Sequence, residues 1–413
     1  MKTSIQCRLP AALLAVGIAG GLVGIVLTGL LHFVQHHAYG YTSDGGYQSF
    51  REGAAAAAPW RRFAVMVLCG AVAGAGWQLL KKYGRPLTGI KAAADNPRQG
   101  MPFATTIVHA LLQIVTVGMG SPLGREVAPR EMTAAFASHW AKRLALGEQD
   151  ARLLVACASG AGLAAVYNVP LAGALFALET VLASWSQRAA AAALFCSVSA
   201  AAVAQLALGD VQQYPLPDLP VEQTLLPWAL AAGPVLGAAA ALFRRSVSFR
   251  PLLWNSRVKA AAFAVAAFAL IGALAAYCPE ILGNGKAGNQ LVFGGLTGWQ
   301  GSLKLLVLKW PAVLLALAAG AYGGLITPSM MMGATLSFSG AFLWNTWLPA
   351  VRPESAAVVG AAVFLGVAQR MPLTATVFVL EMTRASAALL LPLCACMALA
   401  LAVSEKAEGG RAA

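Results

Sequence analysis

One ten-residue stretch, GREVAPREMT (Gly124–Thr133), gathers ionisable side chains where the chain is otherwise apolar. The preceding run, Phe103–Leu123, contains no Asp, Glu, Lys or Arg. The stretch holds two arginines and two glutamates: Arg125, Glu126, Arg130 and Glu131. A carboxylate beside glycine and proline in apolar surroundings can bind and release a proton, so Glu126 is the first candidate for chemistry. The other three charges are predicted to lie at helix ends and at the membrane interface.

The elements that position Glu126 are predicted to be membrane helices. The 413 residues are 59% hydrophobic and only 11% charged, whereas soluble domains are about a quarter charged. A bilayer core needs about 20 apolar residues per helix. We therefore predict an all-α polytopic membrane protein with about ten to fourteen membrane helices in a single domain, residues 1–413. Nine runs are nearly free of charge: Ala11–Val34, Phe63–Leu80, Phe103–Leu123, Leu153–Leu178, Ala189–Gly209, Leu225–Phe243, Ala260–Tyr277, Trp310–Val351 and Ala387–Val403.

The remaining composition excludes several other classes of protein. The apolar run at the N-terminus is too long for a signal peptide and is predicted to be the first membrane helix. The net charge of +13 indicates basic loop ends on the cytoplasmic side rather than nucleic-acid binding. Neither metal-ligand spacing nor a Ser/His constellation is present, so no metal, no cofactor and no enzymatic reaction are expected. His109 is expected to be a packed or hydrogen-bonded residue.

The chain contains a weak internal repeat. NVPLAGALFALET begins at Asn168 and RMPLTATVFVLEM begins at Arg370. In the same order, GREVAP precedes the first copy and GGLITP, Gly323–Pro328, precedes the second. We place the first repeat at about 11–209, the second at about 225–403, and a polar tail at 404–413. The two copies share five identities: Pro170/Pro372, Leu171/Leu373, Phe176/Phe378, Leu178/Leu380 and Glu179/Glu381.

Glycine–proline breaks of this kind predict helices that begin inside the membrane. Such a helix directs free N–H groups and a partial positive charge at its start, and several starts together can bind an anion without a full cation. GREVAP, NVP and GGLITP are predicted helix starts. A carboxylate at such a start competes with an anion until it is protonated, which predicts that Glu126 is a gate. Intramembrane breaks in repeated halves are typical of transporters.

These motifs together resemble the CLC family of chloride channels and chloride/proton antiporters. GREVAP resembles the family's Gly-Lys/Arg-Glu-Gly-Pro, GGLITP resembles its Gly-x-Phe-x-Pro, and NVPLAG resembles the stretch that follows its gating motif. The resemblance implies a homodimer with one pore per subunit, two inverted repeats with short, broken and re-entrant helices, and Glu126 as gating glutamate. The implied anion-binding residues are Gly124, Arg125, Val127, Gly324, Leu325 and Ile326.

This sequence departs from the family pattern at several implied site positions. The family's Gly-Ser-Gly-Ile-Pro has no clean copy, and Thr88 in GRPLTGIKAA is the expected source of a hydroxyl. The family's inner tyrosine would fall on Ala412 and is therefore absent. The two successive acids of many antiporters align with Glu179 and Thr180. A threonine hydroxyl cannot hold a proton as a carboxylate does, so the implied proton pathway of Glu126, Glu179 and Thr180 is weakened.

The predicted function is transport of a small anion, chloride first, through a voltage-gated or proton-coupled pore. An uncoupled chloride channel and a fluoride exporter of the same fold remain open as alternatives. An intramembrane enzyme and a membrane scaffold are less consistent with the two glycine–proline breaks. The expected partners are chloride, protons, lipid and a second subunit, and the expected location is a multi-pass position in a bacterial inner membrane.

Overall fold

The computed structural model describes residues 8–41, 49–217, 222–248 and 256–409. Within these ranges the chain forms seventeen α-helices. The first nine are α1 (Arg8–Tyr39), α2 (Phe50–Ala56), α3 (Pro59–Tyr83), α4 (Ile90–Asp95), α5 (Phe103–Gly118), α6 (Val127–Arg143), α7 (Glu148–Tyr167), α8 (Pro170–Phe176) and α9 (Gln187–Leu208). The remaining eight are α10 (Leu225–Ser248), α11 (Arg257–Tyr277), α12 (Lys286–Phe293), α13 (Trp299–Ala318), α14 (Ile326–Trp344), α15 (Pro353–Gln369), α16 (Pro372–Thr383) and α17 (Leu390–Gly409).

The described helices agree with the predicted class of polytopic membrane protein. Eight of them are long and apolar enough to cross a membrane, and four shorter apolar helices accompany them. The eight are fewer than the predicted ten to fourteen membrane helices, and the four shorter helices bring the number of apolar helices to twelve. Two polar stretches, Gly40–Trp60 and Cys278–Gly301, contain one further short α-helix each. These helices are α2 and α12.

The packing divides the described residues into two compact units. The first comprises the described part of 1–32 together with 77–115 and 125–213. Its centre is α7, which is buried along nearly its whole length and packs against α6, α8 and α9. Helices α7 and α8 approach closely at Gly160 and Gly173. A Cβ added at Gly173 would lie only 2.6 Å from the carbonyl oxygen of Gly160, so a larger residue would not fit there.

The second unit comprises the described parts of 33–76 and 214–413 together with 116–124. Its centre is α15, which is buried from Ser355 to Ala368 and packs against α14, α10, α16 and α17. Here α14 and α15 touch at a glycine pair, because a Cβ at Gly360 would lie 2.6 Å from the carbonyl oxygen of Gly333.

The repeat is visible in how the helices end and restart. Helix α5 ends at a left-handed glycine, Gly120 (φ 107°), and α13 ends at Gly320 (φ 77°). At both ends the amide of this glycine donates to the carbonyl three residues earlier, and the amide of the next residue donates to the carbonyl five residues earlier. This is the Schellman arrangement. The chain therefore turns in the same way before each of the helices α6 and α14.

The second part of the repeat has equally matched turns. Helix α7 ends at Asn168 (φ 58°) and α15 ends at Arg370 (φ 54°), both left-handed. Two residues later, Pro170 and Pro372 occupy the first positions of α8 and α16. Proline suits this position because the amide it lacks would have no partner within the helix. The predicted proline-started helices are confirmed.

Candidate functional site

Glu126 lies at the start of α6 and is completely buried. It is the N-cap residue, with φ −74° and ψ −20°, and its side chain does not cap its own helix. The hydroxyl of Tyr167 donates a hydrogen bond to the Glu126 Oε2 atom at 3.1 Å. Tyr167 is the last residue of α7 and is also buried. A helix start and a helix end therefore hold this carboxylate in place.

Arg125 packs beside this pair and is nearly buried. Its guanidinium lies 5.0 Å from the centroid of the Tyr167 ring, a favourable cation–π geometry, and it donates a hydrogen bond of 3.3 Å to the carbonyl of Val166. Arg130 stacks in a similar way over Phe176, at 4.1 Å. Arg125 thus lies at a helix end as predicted and its side chain contacts the ring of the tyrosine that hydrogen-bonds to Glu126, while its place relative to the membrane interface stays a prediction.

The two glycines of the predicted helix starts pair with each other. The amide of Gly124 donates to the carbonyl of Gly324 at 2.7 Å, and the amide of Gly324 donates to the carbonyl of Gly124 at 2.8 Å. The two segments run antiparallel at this point, and equivalent residues exchange equivalent bonds. A local two-fold relation has this property. Both glycines belong to the second unit, whereas Arg125 begins the segment 125–213 of the first unit.

The second predicted helix start has the expected form. Helix α14 begins at Ile326, with Leu325 as its N-cap residue. The Leu325 side chain has no polar atom, so it cannot cap the first-turn amides. Ile326 is buried and Leu325 is half-buried, as is Val127 at the first position of α6. The predicted starts at Val127, Pro170 and Ile326 are all present.

Thr88 is not brought to Glu126 by any described contact. It lies two residues before the short helix α4, it is half-buried, and its hydroxyl makes no hydrogen bond with a described residue. Its predicted role in anion binding stays a prediction. Ala412, which takes the place of the family's tyrosine, lies outside the described residues.

Glu179 and Thr180 lie in a single π-helical turn, Ala177–Leu182, that continues α8. Single π turns absorb one extra residue and are frequent at functional sites. The turn ends at left-handed Ala183, whereas α16 ends without such a turn at left-handed Arg384. The hydroxyl of Thr180 is buried and makes no hydrogen bond in the described part of the chain. The insertion reorients the two positions implied in proton transfer relative to their counterparts in α16.

A family model supplies the decisive comparison. Residues 69–405 match the model described as voltage gated chloride channel. The chain belongs to the CLC family. The match covers both glycine–proline breaks and both copies of the repeat, so the predicted resemblance is confirmed.

Individual CLC proteins agree with this assignment. A voltage-gated ClC-type chloride channel, ClcB of Citrobacter koseri, is 26% identical over 336 residues, which are 79% of this chain and 80% of the relative. A solved slow cyanobacterial Cl⁻/H⁺ antiporter has a TM-score of 0.82 at 19% identity, with 98% of this chain and 95% of that chain covered. A CLC-type fluoride/proton antiporter has a TM-score of 0.75 at 20% identity, with coverages of 97% and 94%. The two solved structures show that this chain has the CLC fold.

Sequence reasoning did not single out Tyr167, whose hydroxyl hydrogen-bonds to Glu126. It stands in AVYNVP, immediately before the asparagine that ends α7. An aromatic residue at the end of an apolar helix indicates core packing as readily as a polar contact. The signal that could have identified it is the combination of a phenolic hydroxyl, a helix break and a nearby buried carboxylate.

Among the described residues, no group of three His, Cys, Asp or Glu side chains could hold a metal ion.

Proposed function

We propose that this protein carries small anions, chloride first among them, across a membrane and that Glu126 is the gate. One observation carries the proposal: a completely buried carboxylate occupies the start of α6. An ionised carboxylate there uses the same helix-terminal electrostatics that would attract a transported anion. Because the two negative charges compete, an anion occupies this position only after Glu126 has been protonated and displaced.

The backbone at the two helix starts supports the anion part of the proposal. Gly124, Arg125 and Val127 surround the first start, and Gly324, Leu325 and Ile326 form the second. Amide dipoles bind an anion less tightly than a bare ammonium or guanidinium group, so they permit release as well as entry. The Arg125 guanidinium faces the Tyr167 ring. The backbone amides, and not this guanidinium, are therefore the groups proposed to hold the anion.

The experiment is an efflux assay on purified protein in liposomes under a chloride gradient, with external chloride and internal pH recorded together. Wild-type protein is expected to release chloride in a pH-dependent manner, and Glu126→Gln is expected to release it with little dependence on pH. Proton movement against its own gradient that disappears in Glu126→Gln would establish coupled exchange. An absence of chloride efflux, with fluoride carried instead, would replace chloride by fluoride as the substrate. An absence of both fluxes would remove the proposal.

Uncoupled chloride flux is the second candidate function. It is favoured by Thr180, whose buried hydroxyl stands where many antiporters of the family carry a second acid. The same assay separates the two candidates, because uncoupled protein moves chloride without moving protons uphill. Thr180→Glu in otherwise wild-type protein is expected to introduce proton movement against the proton gradient if the missing acid is the only cause of uncoupled flux.

We further propose that the protein works as a homodimer with a pore in each subunit, in a bacterial inner membrane. The bacterial relative and the multi-pass helices support this location. Light scattering in mild detergent is expected to give twice the chain mass of 42.5 kDa. A mass of one chain would contradict the dimer without affecting the anion proposal. No reaction that makes or breaks covalent bonds is assigned to the protein.

A further inference from the structure

Four polar side chains form a second buried network in the first unit, away from the Glu126–Tyr167 contact. Trp77 comes from α3, His109 and Gln113 come from α5, and Glu131 comes from α6. His109 and Gln113 are four residues apart, so they share one face of α5. Trp77, His109 and Gln113 are almost fully buried, and the side chain of Glu131 is 19% exposed. Glu131 therefore lies largely inside the protein, and its predicted place at the membrane interface stays a prediction.

The hydrogen bonds of this network determine which nitrogen of His109 holds a proton. The indole Nε1 atom of Trp77 is 3.0 Å from His109 Nδ1, and an indole N–H can only donate. Nδ1 therefore accepts and holds no proton. The proton of the neutral ring is assigned to Nε2, which lies 3.5 Å from Glu131 Oε2. A second proton on His109 would set two donors against each other, so the ring stays neutral while the Trp77 bond exists.

Glu131 is consequently surrounded by neutral donors. Gln113 Nε2 donates to its Oε2 atom at 2.9 Å, and the His109 N–H faces the same oxygen. Oε1 makes no hydrogen bond with a described residue. Arg130, the neighbouring cation on α6, is stacked on Phe176 and makes no ion pair or hydrogen bond with Glu131, although its charge lies near enough to interact electrostatically with Glu131 and with Glu126.

No other charged group among the described residues pairs with this carboxylate. Helices α4 and α7 pack against α6, and none of their ionisable side chains forms an ion pair or hydrogen bond with Glu131. Those side chains are Lys91 and Asp95 of α4, and Glu148, Asp150, Arg152, Cys157 and Tyr167 of α7.

We propose that His109, Gln113 and Glu131 form a second proton-binding site, in which Glu131 takes up the proton on Oε1. An ionised carboxylate within a membrane domain costs free energy when no cation pairs with it. Uptake of one proton from water neutralises it, and Oε2 can still accept from both donors as a carbonyl oxygen. No bond in the network has to break, so the site can fill and empty without rearrangement.

This site acts on Glu126 through their shared helix. The inference rests on the proposed function, because it gives the gate a second titrating neighbour. Glu131 follows Glu126 by five positions, which corresponds to a rise of about 7.5 Å along α6 and a rotation of about 140° around it, so the two carboxylates are roughly 13 Å apart. At an effective dielectric constant of about 20, two like charges at this distance displace a titration by roughly one pH unit. Ionised Glu131 therefore favours protonation of Glu126, whereas protonated Glu131 does not.

Chloride efflux measured against pH tests the coupling. Glu131→Gln is expected to move the pH of half-maximal efflux to lower pH by about one unit, because it removes the negative charge that favours protonation of Glu126. In the Glu126→Gln background no gate carboxylate remains, so adding Glu131→Gln is expected to leave the pH profile of efflux unchanged. An unchanged midpoint in the Glu131→Gln single variant would overturn the coupling, as would a shift of the profile by Glu131→Gln in the Glu126→Gln background.

Infrared difference spectroscopy tests the site without relying on transport. Wild-type protein should show a protonated-carboxyl carbonyl band that titrates and that Glu131→Gln removes. Glu148→Gln is the matched control, since Glu148 is an exposed carboxylate paired with Arg98, and it should leave that band unchanged. A band unaffected by Glu131→Gln would overturn the site. If wild-type protein carries no anion, the proposed function fails while this band still decides the site. Should Glu131→Gln not fold, Glu131→Asp keeps the carboxyl group and should retain the band with a displaced midpoint.

Discussion

The hydroxyl of Tyr167 donates to the carboxylate of Glu126, and so joins the end of α7 to the start of α6. Both residues are buried, and the Arg125 guanidinium faces the tyrosine ring. A hydrogen bond donated to a carboxylate stabilises its ionised form. In the proposed mechanism this bond keeps the gate closed, because Glu126 must be protonated and displaced before an anion can replace it.

Removal of this hydroxyl is the first prediction. Tyr167→Phe keeps the ring that Arg125 packs on and deletes only the donor. Hydrogen bonds to charged groups contribute about 1.5–3 kcal/mol, and one pH unit corresponds to about 1.4 kcal/mol. The pH of half-maximal chloride efflux is expected to rise by about one unit, since Glu126 is then protonated more readily.

The control for this variant is another buried tyrosine. Tyr214 accepts a hydrogen bond of 3.3 Å from Asn289 in the second unit, so Tyr214→Phe also removes a buried hydroxyl. It should leave the pH profile of efflux in place. Equal shifts in the two variants would indicate a general loss of packing and would contradict the specific role of Tyr167.

The sequence was sufficient to predict the helix starts and the repeat. Proline at the first helical position and glycine before it are local signals, so Pro170, Pro372 and the starts at Val127 and Ile326 could be read without tertiary information. The matched left-handed glycines Gly120 and Gly320 carry the same kind of signal, and they extend the repeat further than the sequence comparison did.

The contacts between helices could not be predicted in the same way. Residues 22 positions apart, such as His109 and Glu131, meet only when α5 and α6 pack together, and the apolar pattern does not fix the angle between two helices. The π turn at Glu179 escaped notice because one extra residue in an apolar helix leaves no trace in an ungapped match of thirteen positions. Burial of Arg125 was missed for a related reason, since an arginine near a helix end ordinarily reaches the interface.

Lys309 gives a prediction about stability. This completely buried lysine of α13 donates to the carbonyls of Ile281 at 2.8 Å and Gly283 at 2.5 Å. Lys309→Met leaves both carbonyls without this donor, and an unsatisfied buried acceptor costs about 1–3 kcal/mol. Because the buried ammonium group also costs free energy, the net loss in free energy of unfolding in detergent should be about 1–3 kcal/mol.

A second lysine on the same helix is the control for Lys309. Lys304 is exposed, and its ammonium group lies 3.5 Å from the carbonyl of Tyr277. Lys304→Met should change the free energy of unfolding by less than about 0.5 kcal/mol. Similar losses in the two variants would argue against the buried carbonyl contacts as the cause.

Glu52 gives a pH-dependent prediction outside the membrane helices. The backbone amide of Ser49 donates to its carboxylate at 3.0 Å, and this bond, with smaller help from Arg51, holds the pKa of Glu52 below its ordinary value. The pKa is thus lower in the folded protein than in the unfolded chain. The stabilisation is complete above the unfolded pKa and is lost as the pH falls through the folded one.

Hydrogen exchange of the α2 amides measures this effect. Protection of Phe50–Ala56 should weaken as the pH is lowered through the titration of Glu52, after correction for the intrinsic exchange rate. The change should be small because the Glu52 side chain is half exposed. Glu52→Ala should abolish the pH dependence, and an equal dependence in that variant would assign it to another group.

Two glycines seven residues apart on α14 give the last prediction, which concerns helix packing. Gly333 faces the carbonyl of Gly360 and the Cβ atom of Phe364 so closely that an added Cβ would overlap both, whereas a Cβ at Gly340 would meet no atom within 4 Å. Gly333→Ala should therefore separate α14 from α15 and lower the free energy of unfolding by about 1–3 kcal/mol. Gly340→Ala should raise it by about 0.5–1 kcal/mol, because alanine loses less backbone entropy in a helix. Thermal unfolding of the two variants in the same detergent measures the difference. Equal midpoints would show that α14 and α15 are not in close contact at Gly333.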